Sequence, residues 1–325
     1  MRLAALVSLL FAASALAQQV QYSLTDAFSG TQFFDAFVWE TFNDPTHGRV
    51  NYVDISTAIK SNLSYASGSK FIMRADSTSI VPSYARGRDS VRITSKTAYT
   101  EGLYILDLSH MPTGCATWPA WWTFSRNGPW PSGGEIDIIE GVNQNTANLA
   151  SLHTTPNCSM PPIRQQTGAT VSTDCDTNVN YNQGCGTSFT KANSYGPGFN
   201  AQGGGHYVLL RTKDEISVWF WARSDPLTPP EVLLSSQSTR MPSPSITWGP
   251  PDANFPLSSN GGNCDYEAHF DPHHIIFDLT LCGDWAGTAF ATSGCGPSTC
   301  EDFVNNNPAS FAEAYWEINS LRIYT

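Results

Sequence analysis

Gly133-Gly134-Glu135-Ile136-Asp137-Ile138-Ile139-Glu140-Gly141 is the stretch on which the reading of this chain turns. Isoleucine is β-branched and fits a pleated surface, and glycines bracket the run, so it predicts a strand with a turn at each end. Side chains alternate across a strand. Glu135 and Asp137 therefore share one face, and Ile136 takes the other. In a regular strand Glu140 would fall on the face of Ile136. One extra residue at Ile138-Ile139, a β-bulge, returns Glu140 to the face of the other acids. It also sends Ile136 and part of the Ile138-Ile139 pair into a core.

Three carboxylates on one face are costly unless they serve something. Crowded like charges raise the pKa of at least one member. A glycosidase needs that: one ionised carboxylate and one protonated acid at working pH. Glu135 and Glu140 would stand roughly 13 Å apart at their Cα atoms. Leaning together on a concave sheet, they can approach the roughly 5–5.5 Å carboxyl spacing of a retaining enzyme. Asp137 between them can tune the pair. The competing readings are a solvated edge strand and a calcium site.

The surroundings favour chemistry on a sugar. Trp118, Trp121 and Trp122 lie just upstream, and Trp130 precedes Glu135 by five residues. Sugar rings have apolar faces that stack on aromatic side chains. Trp285, in Cys282-Gly283-Asp284-Trp285-Ala286-Gly287, is a further candidate for a cleft wall, and His153 falls on the strand expected next. Trp219, Trp221 and Trp316 read as core.

Elsewhere short β-like runs dominate: 90–95, 103–108, 207–212, 216–222, 275–281 and 318–324. Val218-Trp219-Phe220-Trp221 is apolar on both faces and reads as a central strand. Few helices are expected, one of them over 308–314 after an asparagine run that could cap it. The pattern predicts an all-β sandwich or jelly roll, with 155–205 and 240–265 as long ordered loops. No linker or repeat divides 18–325, which reads as one domain.

Residues 1–17 read as a signal peptide ending at Ala15-Leu16-Ala17, so a secreted, extracellular protein is expected. The eight cysteines, Cys115, Cys158, Cys175, Cys185, Cys264, Cys282, Cys295 and Cys300, lie in loop-like sequence and are expected to pin loops as disulfides. Their pairing stays open. The formal net charge of −11 repels phosphate backbones and anionic membranes, so neither nucleic acid nor membrane is an expected partner. It suits a neutral polymer. Asn62-Leu63-Ser64 and Asn157-Cys158-Ser159 match the N-glycosylation pattern, Asn62 being the better candidate. His273-His274 beside Asp271 lacks the partners of a metal cluster. Neither metal nor cofactor is expected, and the chain is expected to work as a monomer.

With Glu135-x-Asp137-x-x-Glu140 intact, the sequence resembles glycoside hydrolase family 16, and within it the fungal endo-1,3(4)-β-glucanases of the laminarinase type. Asp44 to Tyr52, Ser90 to Ile93, His110-Met111-Pro112-x-Gly114-Cys115, Ala192 to Pro197, Cys282 to Gly287 and Tyr315 to Ile318 share in the likeness. The resemblance implies a jelly-roll sandwich of two curved antiparallel sheets with a substrate cleft across the concave face. It implies a retaining double displacement on a β-glucan, with Glu135 as nucleophile, Glu140 as acid/base and Asp137 assisting. It also implies sugar contacts from Trp118, Trp122, Trp130, Trp285 and His153. Arg126-Asn127-Gly128-Pro129 departs from the more acidic loop expected of the group. Rival readings are a glucan-binding lectin, which would lack one of the acids, and a wall transglycosylase, whose strand tends to be unbulged.

Overall fold

The structure is a computed structural model that describes residues 21–244 and 246–325; the signal peptide expected over 1–17 lies outside the described residues. Two sheets form the body. One runs, edge to edge, Ala169–Thr170, Cys185–Ser188, Leu149–His153, Glu135–Glu140, Thr117–Ser125, His273–Leu281, Arg92–Tyr99 and Phe37–Trp39. The other runs Arg240–Pro242, Gln21–Phe28, Tyr315–Tyr324, Gly102–His110, Gly205–Arg211, Glu215–Ala222 and Ala253–Pro256. Lys70–Arg74 also pairs with Tyr315–Tyr324 and carries Ser64–Ser67. Pairing is antiparallel in both, the arrangement of a jelly roll; a small parallel pair, Val50–Tyr52 with Arg88–Ser90, stands apart.

The sheets pack through apolar side chains of alternate positions. Trp121, Ile136, Ile138, Ile139 and Phe277 of the first meet Phe71, Leu106, Tyr207, Leu209 and Trp316 of the second. Phe277 and Trp316 make an edge-to-face pair with ring centroids 5.8 Å apart across the interface. Trp219 and Trp221 behave differently from Trp316. They point away from this core into a second one, formed with Leu103, Val208, Met241 and Trp248. Val218-Trp219-Phe220-Trp221 is apolar on both faces because both faces are covered.

The expected strands all occur, although 90–95 is divided between Arg88–Ser90 and Arg92–Tyr99. Two expectations need correction. The 308–314 segment is a single 3-10 turn, Pro308–Phe311, and the helix there is Cys300–Asn306, capped by Thr299 Oγ1 accepting from Asp302 N. The asparagines close that helix instead of opening the next. The 155–205 and 240–265 segments hold short strands at Cys185–Ser188 and Ala253–Pro256 and a helix at Gly196–Ala201. Cysteines form four disulfides, Cys115–Cys295, Cys158–Cys264, Cys175–Cys185 and Cys282–Cys300. Cys185 and Cys300 open a strand and a helix, so the bridges tie loops to regular elements as well as to each other.

Candidate active site

The Glu135–Glu140 strand carries the expected bulge. Asp137 pairs with Trp122 and Ile139 with Trp121, so two steps on one strand face one on its neighbour. On the other side Asp137 pairs with Ser151 and Glu140 with Leu149. Ile136, Ile138 and Ile139 are all fully buried, and the three acids share the opposite face. The bulge leaves backbone groups off the ladder, and Asn148 serves them. Its Oδ1 accepts from Glu140 N at 3.1 Å, and its Nδ2 donates to Ile138 O at 2.8 Å. Asn148 is itself fully buried.

Each acid has its own donor. Trp130 Nε1 donates to Glu135 Oε2 at 2.7 Å, Trp118 Nε1 to Glu140 Oε1 at 2.8 Å, and Ser151 Oγ to Asp137 Oδ2 at 3.0 Å. His153, cross-strand partner of Glu135, places Nε2 3.4 Å from Asp137 Oδ2. Trp285 meets Trp118 edge to face at 5.6 Å. Trp122 stacks under the Arg92 guanidinium at 4.9 Å, and Phe42 covers Arg92 at 5.0 Å. All eight residues proposed from the sequence thus lie in one constellation.

The loop before the strand needs its glycines. Gly133 and Gly134 have φ of +77° and +81°, and a Cβ on Gly133 would lie 2.4 Å from Ser125 Oγ. Asp271 Oδ2 accepts from Ser125 Oγ and Asn127 Nδ2, at 2.8 and 2.9 Å, and His273 Nε2 bonds Gly133 O at 2.7 Å. The Arg126-Asn127-Gly128-Pro129 departure is therefore anchored beneath the loop that presents Trp130. His273 and His274 are occupied by Thr123 and Gly133 and by Ser95 O respectively. Among the described residues the group able to hold a cation is Glu135, Asp137 and His153, whose ligand atoms lie within 4.8 Å of one another. Trp130 and Ser151 already donate to the two carboxylates of this group.

Desolvation raises all three carboxyls, by different amounts. Glu140 is pushed up to about 7, against the pull of the Trp118 N–H and His153. Asp137 is raised well above its usual range by burial and by both glutamates. Glu135 is raised by burial and opposed by His153, the Trp130 N–H and Arg92. Burial is the upward influence on Glu135, and a neighbouring imidazole, indole N–H and guanidinium oppose it.

Sequence reasoning missed Arg92 and Asp278 as site residues, along with Asn148, Ser151 and Asn182. Arg92 Nη1 lies 3.5 Å from Asp278 Oδ2 on the acid-bearing face, with Tyr52 Oη 3.4 Å from the same oxygen. Burial pushes the Asp278 carboxyl up to about 7. The Trp122 N–H acts on the same carboxyl and opposes that rise, while Arg92 Nε is buried without a hydrogen-bond partner among the described residues. An alternating Arg92-x-Thr94 at a strand start was the available signal for Arg92; the others had none.

Comparison with known proteins agrees with this geometry. Residues 37–324 match a family model described as an XgeA-like, catalytic GH16 domain. A probable glycosidase of Schizosaccharomyces pombe is 44% identical over 93% of this chain and 69% of its own length. A probable endo-1,3(4)-β-glucanase of Aspergillus clavatus is 40% identical over 94% of this chain and 47% of its own, so the chain spans about half of that relative. Among solved structures, the GH16 laminarinase 16A of Phanerochaete chrysosporium, holding two 6-O-glucosyl-laminaritriose β-glucans in donor and acceptor sites, superposes with a TM-score of 0.89. It is 48% identical, over 94% of this chain and all of that one. An elongating GH family 16 β-1,3-glucosyltransferase is 38% identical with a TM-score of 0.84, over 94% of this chain and all of that one.

Proposed function

The chain belongs to glycoside hydrolase family 16, and we propose that it is a secreted, retaining endo-β-glucanase acting on β-1,3 and mixed β-1,3/1,4 glucans such as laminarin and lichenan. The observation that carries this reading is the bulged strand: it presents Glu135 and Glu140 on one face, each carboxylate held by its own indole N–H. The β-glucan bound in the similar laminarinase, and the four disulfides, support the substrate class and an oxidising compartment.

In this mechanism Glu140, protonated because its carboxyl sits at about 7, donates to the glycosidic oxygen while Glu135 attacks the anomeric carbon. The C–O bond to the leaving sugar breaks and a glycosyl-enzyme forms. Glu140, now ionised, takes a proton from water, and the hydroxide oxygen displaces Glu135 with net retention. Trp118, Trp122, Trp130 and Trp285 offer stacking faces, and the buried Arg92–Asp278 pair packs against Trp122. Glu135→Gln should fold and bind laminarin but release almost no reducing sugar. Turnover of laminarin by that variant would overturn the assignment.

A transglycosylase is the second reading, favoured by the likeness to the β-1,3-glucosyltransferase. The two differ in what attacks the glycosyl-enzyme, so product lengths from laminarin with and without an added acceptor oligosaccharide separate them.

A further inference from the structure

The loop closed by Cys175–Cys185 does something its sequence does not require. Asn180, Tyr181 and Asn182 are three successive non-glycine residues in the left-handed region, with φ of 50°, 56° and 61°. Asparagine visits that region readily, but tyrosine does so at a cost of about 1–2 kcal/mol. Tyr181 makes no packing contact to offset it, being fully solvent-exposed. What the turn achieves is the placement of Asn182 Oδ1 2.9 Å from His153 Nδ1. The loop then returns directly over the ring. Gly184 lies so close that a Cβ would stand 2.8 Å from His153 Nε2, and its φ of +65° admits only glycine easily.

We propose that Asn182 is a positioning residue: it fixes the His153 ring with a proton on Nδ1, and so keeps one further proton between His153 Nε2 and Asp137. The inference rests on the reading of Glu135, Asp137 and Glu140 as the reacting acids. With the Asn182 amide oxygen turned to the ring, Nδ1 is the donor, because an amide oxygen only accepts. Neutral His153 then turns a lone pair on Nε2 toward Asp137 Oδ2, 3.4 Å away. A lone pair facing a carboxylate is stable only with a proton between them, carried by Asp137 or by an imidazolium. Burial and the flanking glutamates raise the Asp137 carboxyl, which agrees with that proton count. Without Asn182 the ring can place its single proton on Nε2 and donate to an ionised Asp137. The cluster then holds one proton fewer, and its extra charge opposes ionisation of Glu135.

The charged groups that set this balance are Glu135, Asp137 and Glu140 on the strand beside His153, and Asp278 and Arg92 across the sheet. Asp176, in the loop itself, is engaged by Asn178.

The experiment compares wild type, Asn182→Ala and Asn182→Asp. Nitrogen-15 NMR of the histidines reports the His153 tautomer without any turnover. Wild type is expected to carry its proton on Nδ1, Asn182→Ala to move toward the Nε2–H form, and Asn182→Asp to keep Nδ1–H. On laminarin, Asn182→Ala should lose about 10-fold in kcat with KM within about 2-fold, the size expected for loss of a group that orients a working histidine. Its alkaline limb, set by Glu140, should move to higher pH, because an ionised Asp137 opposes ionisation of the neighbouring glutamates, and Asn182→Asp should restore both. An Nε2–H tautomer in wild type overturns the proposal. So does a pH profile for Asn182→Ala that only scales down without moving, or an aspartate variant no better than the alanine one. A wild type with the Nδ1–H tautomer but no activity on any glucan would instead sink the glucanase reading.

Discussion

Replacing Trp118 by phenylalanine tests the acid/base assignment directly. The ring remains to face Trp285, while the N–H that reaches Glu140 Oε1 at 2.8 Å is lost. That bond favours the ionised form of Glu140 and holds its carboxyl down to about 7 against desolvation. A hydrogen bond to a charged group is worth about 1.5–3 kcal/mol and one to a neutral group about 1. An indole N–H can still bond a protonated carboxyl, so the difference that matters is about 1–1.5 kcal/mol. At 1.36 kcal/mol per pKa unit, Glu140 should rise by about one unit.

The assay is the pH profile of kcat/KM on laminarin. With Glu140 assigned as the acid, it has to be protonated to start the reaction, and its titration is expected to form the alkaline limb. The sign follows: loss of the donor raises the pKa, and the limb moves up from about 7 to about 8. The plateau falls, because a weaker acid transfers its proton less readily. A limb that stays in place would show that Glu140 is not the titrating group or that Trp118 does not hold it. A limb that moves down would refute the electrostatic reasoning outright.

Two further outcomes follow from the same site. Asn148→Ala leaves Glu140 N–H and Ile138 C=O buried without partners at the bulge; at about 1–3 kcal/mol for each orphaned group the variant should lose about 2–5 kcal/mol in urea unfolding, and a loss under about 1 would show that the bulge does not depend on this side chain. Glu140→Gln should gain thermal stability over wild type as pH rises: a carboxyl raised from 4.5 to about 7 contributes stability fully below pH 4.5 and loses it as pH climbs through the folded value. The Tm difference should therefore widen between pH about 5 and 7 and then level off. A difference flat across that range would mean that Glu140 is not desolvated in the folded enzyme.

The acids, the bulge and the tryptophans were legible because each is written in residue type and spacing. Ile136 and Ile138-Ile139 fix which face is buried, and Trp118 and Trp130 bracket the acids closely in sequence. The jelly roll was legible for the same reason, in the alternation of its strands. What the sequence hid acts through distance. Asp278 joins Arg92 from 186 residues away, and Asn182 reaches His153 across 29. Asparagine is common in this chain, and nothing in Asn148 or Asn182 as residue types marks them. Their work depends on backbone already folded, on a bulge in one case and on a left-handed turn in the other. The short helix Cys300–Asn306 was missed for a related reason: its cap is the single residue Thr299, while a longer asparagine run advertised a different boundary.

The bulge itself can be argued from the competing registers. Regular pairing would turn Glu140 toward Trp121 and Phe277, at a desolvation cost of several kcal/mol for a carboxylate, and would leave an isoleucine in the cleft, at about 1.5–3 kcal/mol of lost burial. The bulged register avoids both and costs a pair of backbone groups off the ladder, about 1–3 kcal/mol each if left unserved. Asn148 serves both of them with one amide. The register is therefore chosen by the odd spacing of Glu140 from Asp137, and the asparagine eight residues on makes that choice inexpensive. Glu140 reaches Trp118 because the isoleucines pull one way and Asn148 holds what they displace. Core packing and acid placement are, at this strand, one and the same constraint.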